Sequence, residues 1–193
     1  MPPPEQLVPR RLRLPVRERI RADGRIETPL DPASLEAAVA VLQGERVEAV
    51  AVCYLHAWCN PHHERQTAEA LARALPDAYV SLSSAVLAQI KEFERVSTTI
   101  VNTYVGPVLS RYLARLEARL AEAGYRGSTL IIQSHGGVAP IAEAGRLAAG
   151  AVLSGPAGGA AGSVYASRLL GEPNLIPFDM GGTSCSGAGM RRL

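Results

Sequence analysis

Charged and apolar side chains alternate along residues 11–20, and Asp23-Gly24 follows with a turn signal. A period of two is typical of a strand, so the pattern predicts a β-hairpin whose returning strand runs from Ile26 to Leu30. The arginines between positions 10 and 21 are expected to form the solvated face of this hairpin.

Helical and strand signals then alternate. Asp31-Pro32 is a typical helix start and Gly44 a typical helix end. Residues 47–55 form a short apolar run rich in β-branched side chains, which favours a buried strand. Asn60-Pro61 starts a second helix, and residues 80–83 read as a second strand. This order predicts an α/β fold with a mostly parallel sheet.

A long helix is predicted from about Arg95 to Ala123, because apolar residues recur there at three- and four-residue steps. Gly106-Pro107 is expected to kink or split it. Residues 97–99 are expected to cap its start. Three arginines spaced four apart form a ridge that is either a solvent-facing surface or a contact to a partner subunit: Arg111, Arg115 and Arg119.

The second half continues with a strand over residues 129–133 and a last strand over residues 174–178. Between them, the 21 residues 147–167 carry no charge. They consist largely of Gly, Ala and Ser and are too weakly apolar for a membrane span, so we expect a tightly packed loop and helix that Ser154 could cap. Four glycines would weaken this helix, which indicates a close approach to another element or a ligand: Gly155, Gly158, Gly159 and Gly162.

Composition narrows the function classes. The chain has 193 residues, 47% hydrophobic and 20% charged, and a net charge of +2. These values indicate a globular protein and exclude nucleic-acid binding driven by bulk charge. Three cysteines fit a reducing compartment, and the N-terminus lacks the pattern of a secretory signal, so a cytoplasmic protein without membrane attachment is predicted.

The segment Phe178–Ser184 carries the clearest chemistry, because an Asp at a strand end enters a Gly-Gly-Thr-Ser turn. Gly181 and Gly182 allow backbone N–H groups to approach a phosphate, and Thr183 and Ser184 add hydroxyl donors. Asp179 can hold Mg²⁺ through water. A turn without a ligand is the alternative.

Several ordered stretches of the chain, from about Leu7 to Ser184, resemble the hydantoinase A / 5-oxoprolinase family of ATP-dependent amidohydrolases, which is related to the β subunits of acetone carboxylases. The stretches that carry the resemblance are Leu7–Leu14 with Ala22–Arg25, Asn60–Glu64, Glu94–Thr99 with Val101–Pro107, Gln133–Val138, Leu153–Ala157 and Phe178–Ser184.

The resemblance implies a partial actin-like, sugar-kinase-like (ribonuclease H-like) ATPase fold, in which two Asp-x-Gly-Gly-Thr hairpins bracket ATP and Mg²⁺. It implies ATP-driven opening of a cyclic amide, such as 5-oxoproline or a hydantoin, with a hydantoinase B-type partner subunit. The phosphate residues would be Asp179, Gly181, Gly182, Thr183 and Ser184, with Asp179 at the metal. The turn residues His135, Gly136 and Gly137 are possible ligand-facing residues.

The resemblance also divides the chain. Residues 1–94 correspond to the C-terminal part of the family's N-terminal domain and residues 95–184 to the start of its hydantoinase A domain. Residues 185–193 depart from the family pattern. Residues 1–30 lack the family's first phosphate hairpin, and we therefore expect a truncated or frame-shifted fragment, inactive alone, whose own hairpin lacks its second strand. Two other functions remain open: a non-catalytic module that docks on a partner subunit, and an acetone-carboxylase-type subunit.

Two further groups of residues receive structural interpretations. His63 and Glu64 are expected to cap a helix and lie at the surface, because the histidine and cysteine spacing fits no zinc site. Cys53 and Cys59 are interpreted as small apolar side chains rather than nucleophiles.

Overall fold

The computed structural model describes residues 6–180 and 185–187, the last three by their backbone alone. The chain forms two compact units that divide between residues 111 and 112. The elements of the first unit are a 3-10 turn (Arg10–Leu12), β1 (Arg19–Ile20), β2 (Ile26–Thr28), α1 (Pro32–Gly44), β3 (Ala49–Val52), α2 (His62–Ala74), β4 (Tyr79–Leu82), α3 (Ser83–Val86) and the start of α4 (Glu92–Glu122).

Local signals of the sequence are confirmed at the start of this unit. Gly24 adopts a left-handed φ of +83° in the turn between β1 and β2, which are antiparallel. The Asp31 carboxylate caps α1 by accepting a hydrogen bond from the Ser34 backbone N–H at 3.1 Å. Residues 11–20 do alternate between exposed and partly buried positions, but only the last two of them form a strand.

The β3–β4 pair is the parallel pair of the described residues and lies between two helical layers. On one face, Val50 and Val52 pack with Val39 of α1 and Leu71 of α2. On the other, Asn102 of α4 donates hydrogen bonds to the hydroxyls of Ser81 and Tyr79 at 3.0 and 3.2 Å. Alternation along the strands places the apolar and polar residues on opposite faces.

Helix α4 runs without interruption through Pro107, so of the predicted kink or split the split is wrong and the kink stays a prediction. The prediction that residues 97–99 cap it is also wrong, because α4 begins at Glu92. Thr99 lies fully buried inside the helix, where its hydroxyl donates to the Arg95 carbonyl at 2.6 Å. The arginines of the α4 ridge are exposed in this chain, which fits both interpretations, a solvent-facing surface and a contact to a partner subunit.

The elements of the second unit, after the end of α4, are β5 (Leu130–Ile132), β6 (Val138–Pro140), α5 (Ile141–Arg146), a 3-10 turn (Ala148–Ala151), α6 (Ser154–Leu170), β7 (Phe178–Met180) and β8 (Cys185–Gly187). β5 pairs with β6 and β7 with β8, both antiparallel. The expectation of mostly parallel strands is therefore wrong for the described residues. The reason is local: β5 and β6 are joined by a tight turn, which only an antiparallel pair can use.

A close contact in the first unit gives a stability prediction. A Cβ built at Gly106 of α4 would overlap the ring of Tyr79, whose hydroxyl accepts the Asn102 hydrogen bond. We expect Gly106→Ala to lower the free energy of unfolding by about 1–3 kcal/mol, because the ring must move. Urea unfolding followed by circular dichroism measures this.

The matched control is Gly44→Ala at the end of α1, where a Cβ would meet nothing within 4 Å. This variant should be unchanged or more stable by up to ~1 kcal/mol. Equal unfolding midpoints for the two variants would contradict the close packing of α4 on β4.

Candidate functional site

Asp179 lies on β7 with an exposed side chain, beside helix α6. A Cβ built at Gly159 of α6 would lie 3.9 Å from Oδ2 of Asp179. One residue earlier, a Cβ at Gly158 would lie only 3.1 Å from Cδ1 of Ile132 on β5. The expected close approach of the glycine-rich helix is thus present at Gly158, while a Cβ at Gly159 would make only an ordinary van der Waals contact.

The other two glycines of this helix, Gly155 and Gly162, face open space, since a Cβ at either would meet no atom within 4 Å. The helix begins at Ser154, and the residue before it, Leu153, has a left-handed φ of +62° with no side-chain cap. The prediction that Ser154 caps α6 is therefore wrong.

The four predicted phosphate residues Gly181, Gly182, Thr183 and Ser184 lie outside the described residues. The strands on either side are described, and β8 pairs with β7 so that Asp179 stands opposite Ser186. The expectation that this hairpin lacks its second strand is therefore wrong. The pairing uses backbone groups, and it does not require the apolar pattern that the sequence lacks after Ser184.

The predicted ligand-facing turn joins β5 to β6. Gly136 adopts a left-handed φ of +84°, and its N–H donates to the Gln133 carbonyl at 2.9 Å. Nδ1 of His135 accepts a hydrogen bond from the Gly137 N–H at 3.2 Å. The contacts of His135 thus lie within its own turn, while its side chain is exposed to solvent.

A second cluster, in the first unit, lies at the carboxyl ends of β3 and β4. Glu64 of α2 is 1% exposed, and its Oε1 accepts hydrogen bonds from the Tyr54 N–H at 3.1 Å and the Ser83 hydroxyl at 2.5 Å. Its Oε2 accepts from the N–H and the hydroxyl of Ser84 at 2.9 and 2.6 Å. One carboxylate therefore joins the first turn of α2 to the segments that follow both strands.

His63, the neighbour of Glu64, is equally buried. Its Nδ1 lies 2.8 Å from Oε2 of Glu18, and both side chains are almost completely buried. The expectation that His63 and Glu64 lie at the surface is wrong. A signal for burial exists in the sequence, because positions 64, 67 and 71 share one face of a helix and Leu71 is a core residue.

Arg95 is a further buried charged residue of this cluster and has 1% exposure. Its Nη2 donates to the Tyr54 carbonyl and its Nη1 to the Gln89 carbonyl, each at 3.0 Å. Tyr54 is thus held by Glu64 through its N–H and by Arg95 through its carbonyl. No local pattern predicts this, since the two charged residues are 31 positions apart in the chain.

Cys53 lies beside these charges. Burial, together with the negative charge of Glu64, raises the pKa of its thiol to about 12. Hydrogen bonding to Thr99 and the charge of Arg95 act in the opposite direction but are outweighed. A thiol of this kind stays protonated at neutral pH, which agrees with its interpretation as a small apolar residue.

Two further results limit the chemistry of the described residues. Within residues 6–180, no helix combines the length and the hydropathy needed to cross a membrane. In the same part of the chain, His, Cys, Asp and Glu side chains form no group of three or more that could hold a metal ion.

The fold and the two clusters define a mixed α/β protein with a long helix and small sheets. Two family profiles match the chain: hydantoinase/oxoprolinase N-terminal region over residues 3–75, and hydantoinase/oxoprolinase over residues 95–188. The chain belongs to the hydantoinase/oxoprolinase family.

Individual relatives include both amide-hydrolysing and carboxylating enzymes. The chain is 40% identical over 183 residues to caprolactamase subunit alpha of Pseudomonas jessenii, covering 95% of this chain and 26% of the relative. It is 36% identical over 163 residues to 5-oxoprolinase 1 of Arabidopsis thaliana, covering 83% of this chain and 12% of the relative.

Two solved structures also match this chain. The crystal structure of ATP-dependent caprolactamase from Pseudomonas jessenii superposes with a TM-score of 0.81 at 36% identity, over 98% of this chain and 27% of that chain. Nucleotide-free acetone carboxylase superposes with a TM-score of 0.80 at 28% identity, over 91% and 25%. The chain thus spans about a quarter of the length of these two enzymes and an eighth of the oxoprolinase.

The Glu64 cluster predicts a strong dependence of stability on one oxygen atom. In Glu64→Gln, one of the two carboxylate oxygens is replaced by an amide NH₂ group. Each oxygen accepts two hydrogen bonds, one of them from a backbone N–H, and an NH₂ group cannot accept a hydrogen bond from that N–H. We expect the free energy of unfolding to fall by about 1–3 kcal/mol. Urea denaturation tests this, with Glu69→Gln on an exposed position of α2 as the control. Similar losses in both variants would show that the cluster contributes nothing specific.

Thiol reactivity gives a separate test of the same region. At pH 8 a pKa of about 12 leaves Cys53 as thiolate in only roughly one molecule in ten thousand. We expect iodoacetamide to modify the exposed Cys59 while Cys53 stays unmodified, as measured by peptide mass spectrometry. In 8 M urea both should react. Rapid modification of Cys53 in the folded protein would contradict the raised pKa of its thiol.

Proposed function

We propose that this chain is the ATP-binding part of an enzyme that uses ATP to open a cyclic amide. The observation that carries the proposal is the 40% identity to a caprolactamase alpha subunit over 95% of this chain. Support comes from the similarity to 5-oxoprolinase, which acts on a different lactam. The common feature of the two named substrates is an amide bond within a ring, and we assign the substrate class at that level.

In this proposal Asp179 and the turn that follows it form the nucleotide site. The exposed Asp179 carboxylate fits a hydrated Mg²⁺ ion, because the missing side chain at Gly159 leaves room beside Oδ2. Backbone N–H groups of Gly181 and Gly182 and the hydroxyls of Thr183 and Ser184 would bind phosphate oxygens. His135, Gly136 and Gly137 would face the ligand from the neighbouring hairpin.

The chemical role of ATP in such an enzyme is to convert the amide oxygen into a leaving group, since an unstrained lactam is a poor electrophile. The residues of this chain would contribute by positioning the phosphates and neutralising their charge. Asp179 would place the metal ion, and the glycine turn would orient the phosphate that is transferred.

The fold family, the division into domains and the partner subunit belong to the same proposal. We infer an actin-like, sugar-kinase-like arrangement, supported by the parallel β3–β4 pair between helical layers. Residues 1–94 and 95–184 would belong to successive domains of the family. The relatives include an alpha subunit and a beta subunit of larger enzymes, and we propose a hydantoinase B-type partner here.

A ketone carboxylase subunit is the second candidate. It is favoured by the structural match to acetone carboxylase, whose TM-score of 0.80 nearly equals that of caprolactamase. The lower identity of 28%, against 36% for caprolactamase, places it second. ATP use is common to both candidates, so the nucleotide site is the part of the proposal to test first.

The nucleotide site predicts that the chain binds Mg-ATP and that Asp179→Asn weakens this binding at least tenfold. The substitution keeps the size of the side chain and removes the negative charge that would hold Mg²⁺. Isothermal titration of the full chain with ATP, in the presence and absence of MgCl₂, measures the effect.

Glu172→Gln is the matched control, because Glu172 is an exposed acid of the same unit outside the phosphate turn. It should bind Mg-ATP as the unchanged protein does. Equal affinities for all three proteins, or no binding by the unchanged chain, would contradict the proposed site.

A further inference from the structure

The tight turn between β5 and β6 is held by hydrogen bonds within the second unit. The Gln133 N–H donates to the Gly137 carbonyl at 2.8 Å, and the Gln133 carbonyl accepts from the Gly136 N–H at 2.9 Å. The next residue, Ser134, donates its N–H to the carbonyl of Gly150 at 2.6 Å. These hydrogen bonds tie the turn to itself and to the 3-10 turn that follows α5.

The side chain of Gln133 adds packing to these hydrogen bonds. Gln133 is only 5% exposed, and its Nε2 donates to the Ile131 carbonyl at 3.3 Å. A Cβ built at Gly150 would overlap the side-chain amide of Gln133. The absence of a side chain at Gly150 therefore makes room for this amide, and the start of the turn is fixed by close packing as well as by its backbone.

The imidazole of His135 has a defined tautomer in this turn. Its Nδ1 accepts a hydrogen bond from the Gly137 N–H at 3.2 Å. A backbone N–H can only donate, so Nδ1 carries no proton and the neutral ring carries its proton on Nε2. The ring also lies against Gly137, because a Cβ built there would come within 2.6 Å of Cε1 and 3.0 Å of Nδ1. Glycine at position 137 thus allows the ring to fold back on the turn.

Two hydrogen-bond donors of His135 are left over. Within residues 6–180, neither its backbone N–H nor its Nε2 donates a hydrogen bond. The residue is exposed, so a ligand can reach the ring. Because the Gly137 contacts already fix the ring, an acceptor bound at Nε2 does not have to order this side chain. Such a group binds an acceptor more favourably than a freely rotating imidazole does.

Helix α6 connects this turn with Asp179. A Cβ built at Gly158 would lie 3.1 Å from Cδ1 of Ile132, the last residue of β5, and one at Gly159 would lie 3.9 Å from Oδ2 of Asp179. Since these two glycines are consecutive, the end of β5 and the Asp179 carboxylate lie beside the same turn of α6. The turn that carries His135 therefore begins close to the carboxylate that the proposed function assigns to Mg²⁺.

We propose that His135 binds a phosphate oxygen of the nucleotide through its fixed Nε2–H group, and that Gly137 is the positioning residue that holds the ring. This inference rests on the proposed nucleotide site and names the atom of the β5–β6 turn that contacts the ligand. A phosphate suits His135 because ionised phosphate oxygens only accept hydrogen bonds, and both remaining groups of His135 are donors. The other acceptor in the proposed reaction is the carbonyl oxygen of the lactam, which a titration with lactam alone distinguishes.

Long-range ¹H–¹⁵N correlation spectra of the full, ¹⁵N-labelled chain report the tautomer and the environment of each histidine. They are recorded at pH 8, where an ordinary imidazole is neutral. We expect the Nε2–H pattern for His135, and we expect Mg-ATP to shift its Nε2 signal with the Kd that isothermal titration gives. Adenosine, which lacks a phosphate, and caprolactam alone should leave the signal in place. Loss of one signal in His135→Asn assigns it.

The variant His135→Asn also separates the two roles of the side chain. Its Oδ1 can accept the Gly137 N–H, as in an Asx turn, but the shorter side chain has no donor at the Nε2 position. We expect an unchanged urea midpoint and an affinity for Mg-ATP about tenfold lower. Gly137→Ala displaces the ring and should weaken Mg-ATP binding in the same direction. The matched control is His62→Asn at an exposed position of α2, which should bind Mg-ATP as the unchanged chain does.

Three outcomes would overturn the inference: an Nδ1–H tautomer, a His135 signal that saturating Mg-ATP does not move, and equal Mg-ATP affinities of His135→Asn and the unchanged chain. A shift caused by caprolactam alone would show that the phosphate assignment is wrong, while the nucleotide site of the proposed function would stand. Absence of Mg-ATP binding by the unchanged chain would overturn both.

Discussion

The carboxylate of Glu64 accepts hydrogen bonds from Tyr54, Ser83 and Ser84, so that three separate segments of the first unit meet at one side chain. Burying an ionised carboxylate costs several kcal/mol unless donors replace its water. Four donors do so here. Two of them are backbone N–H groups, that of Tyr54 just after β3 and that of Ser84 at the start of α3. All four hydrogen bonds therefore form only when β3 and β4 end at the same level as the first turn of α2. This requirement acts together with the apolar core, which also specifies the register, because a slip of one residue would turn Val50 and Val52 away from it.

The second unit is organised differently. Its buried apolar side chains are few, with Leu113, Ala144 and Ala148 as the main examples, while many large apolar residues are exposed. Close packing against the backbone of α6 is more important in this unit, because the absence of a side chain at Gly158 makes room for Ile132 and Gly159 leaves space beside Asp179. A helix with glycines facing a neighbouring strand buries fewer side chains, but its backbone can lie closer to that strand. The Asp179 carboxylate stays exposed as a result, as the proposed nucleotide site requires.

The parts of the structure that the sequence predicts well are those governed by neighbouring residues. Asp31 caps α1, Gly24 turns the first hairpin, and the long helix is present. The sequence predicts too many parallel strands, because the turn at residues 134–137 follows a strand of the buried type, whereas its short length permits a hairpin. The buried polar cluster is only partly predictable. The spacing of positions 64, 67 and 71 marks the buried face of α2, but the donors that satisfy Glu64 come from Ser83 and Ser84, 19 and 20 positions away, and no local pattern contains that information.

Polar interactions dominate at the carboxyl ends of the β3–β4 pair, and apolar side chains dominate along the outer edge of β3. At the carboxyl ends, Glu64 accepts a hydrogen bond from the Tyr54 N–H and Arg95 donates one to the Tyr54 carbonyl, while the buried Nε of Arg95 has no hydrogen-bond partner among the described residues. Along the edge of β3 that faces away from β4, the backbone groups have no strand partner among the described residues, and most of the side chains around them are apolar.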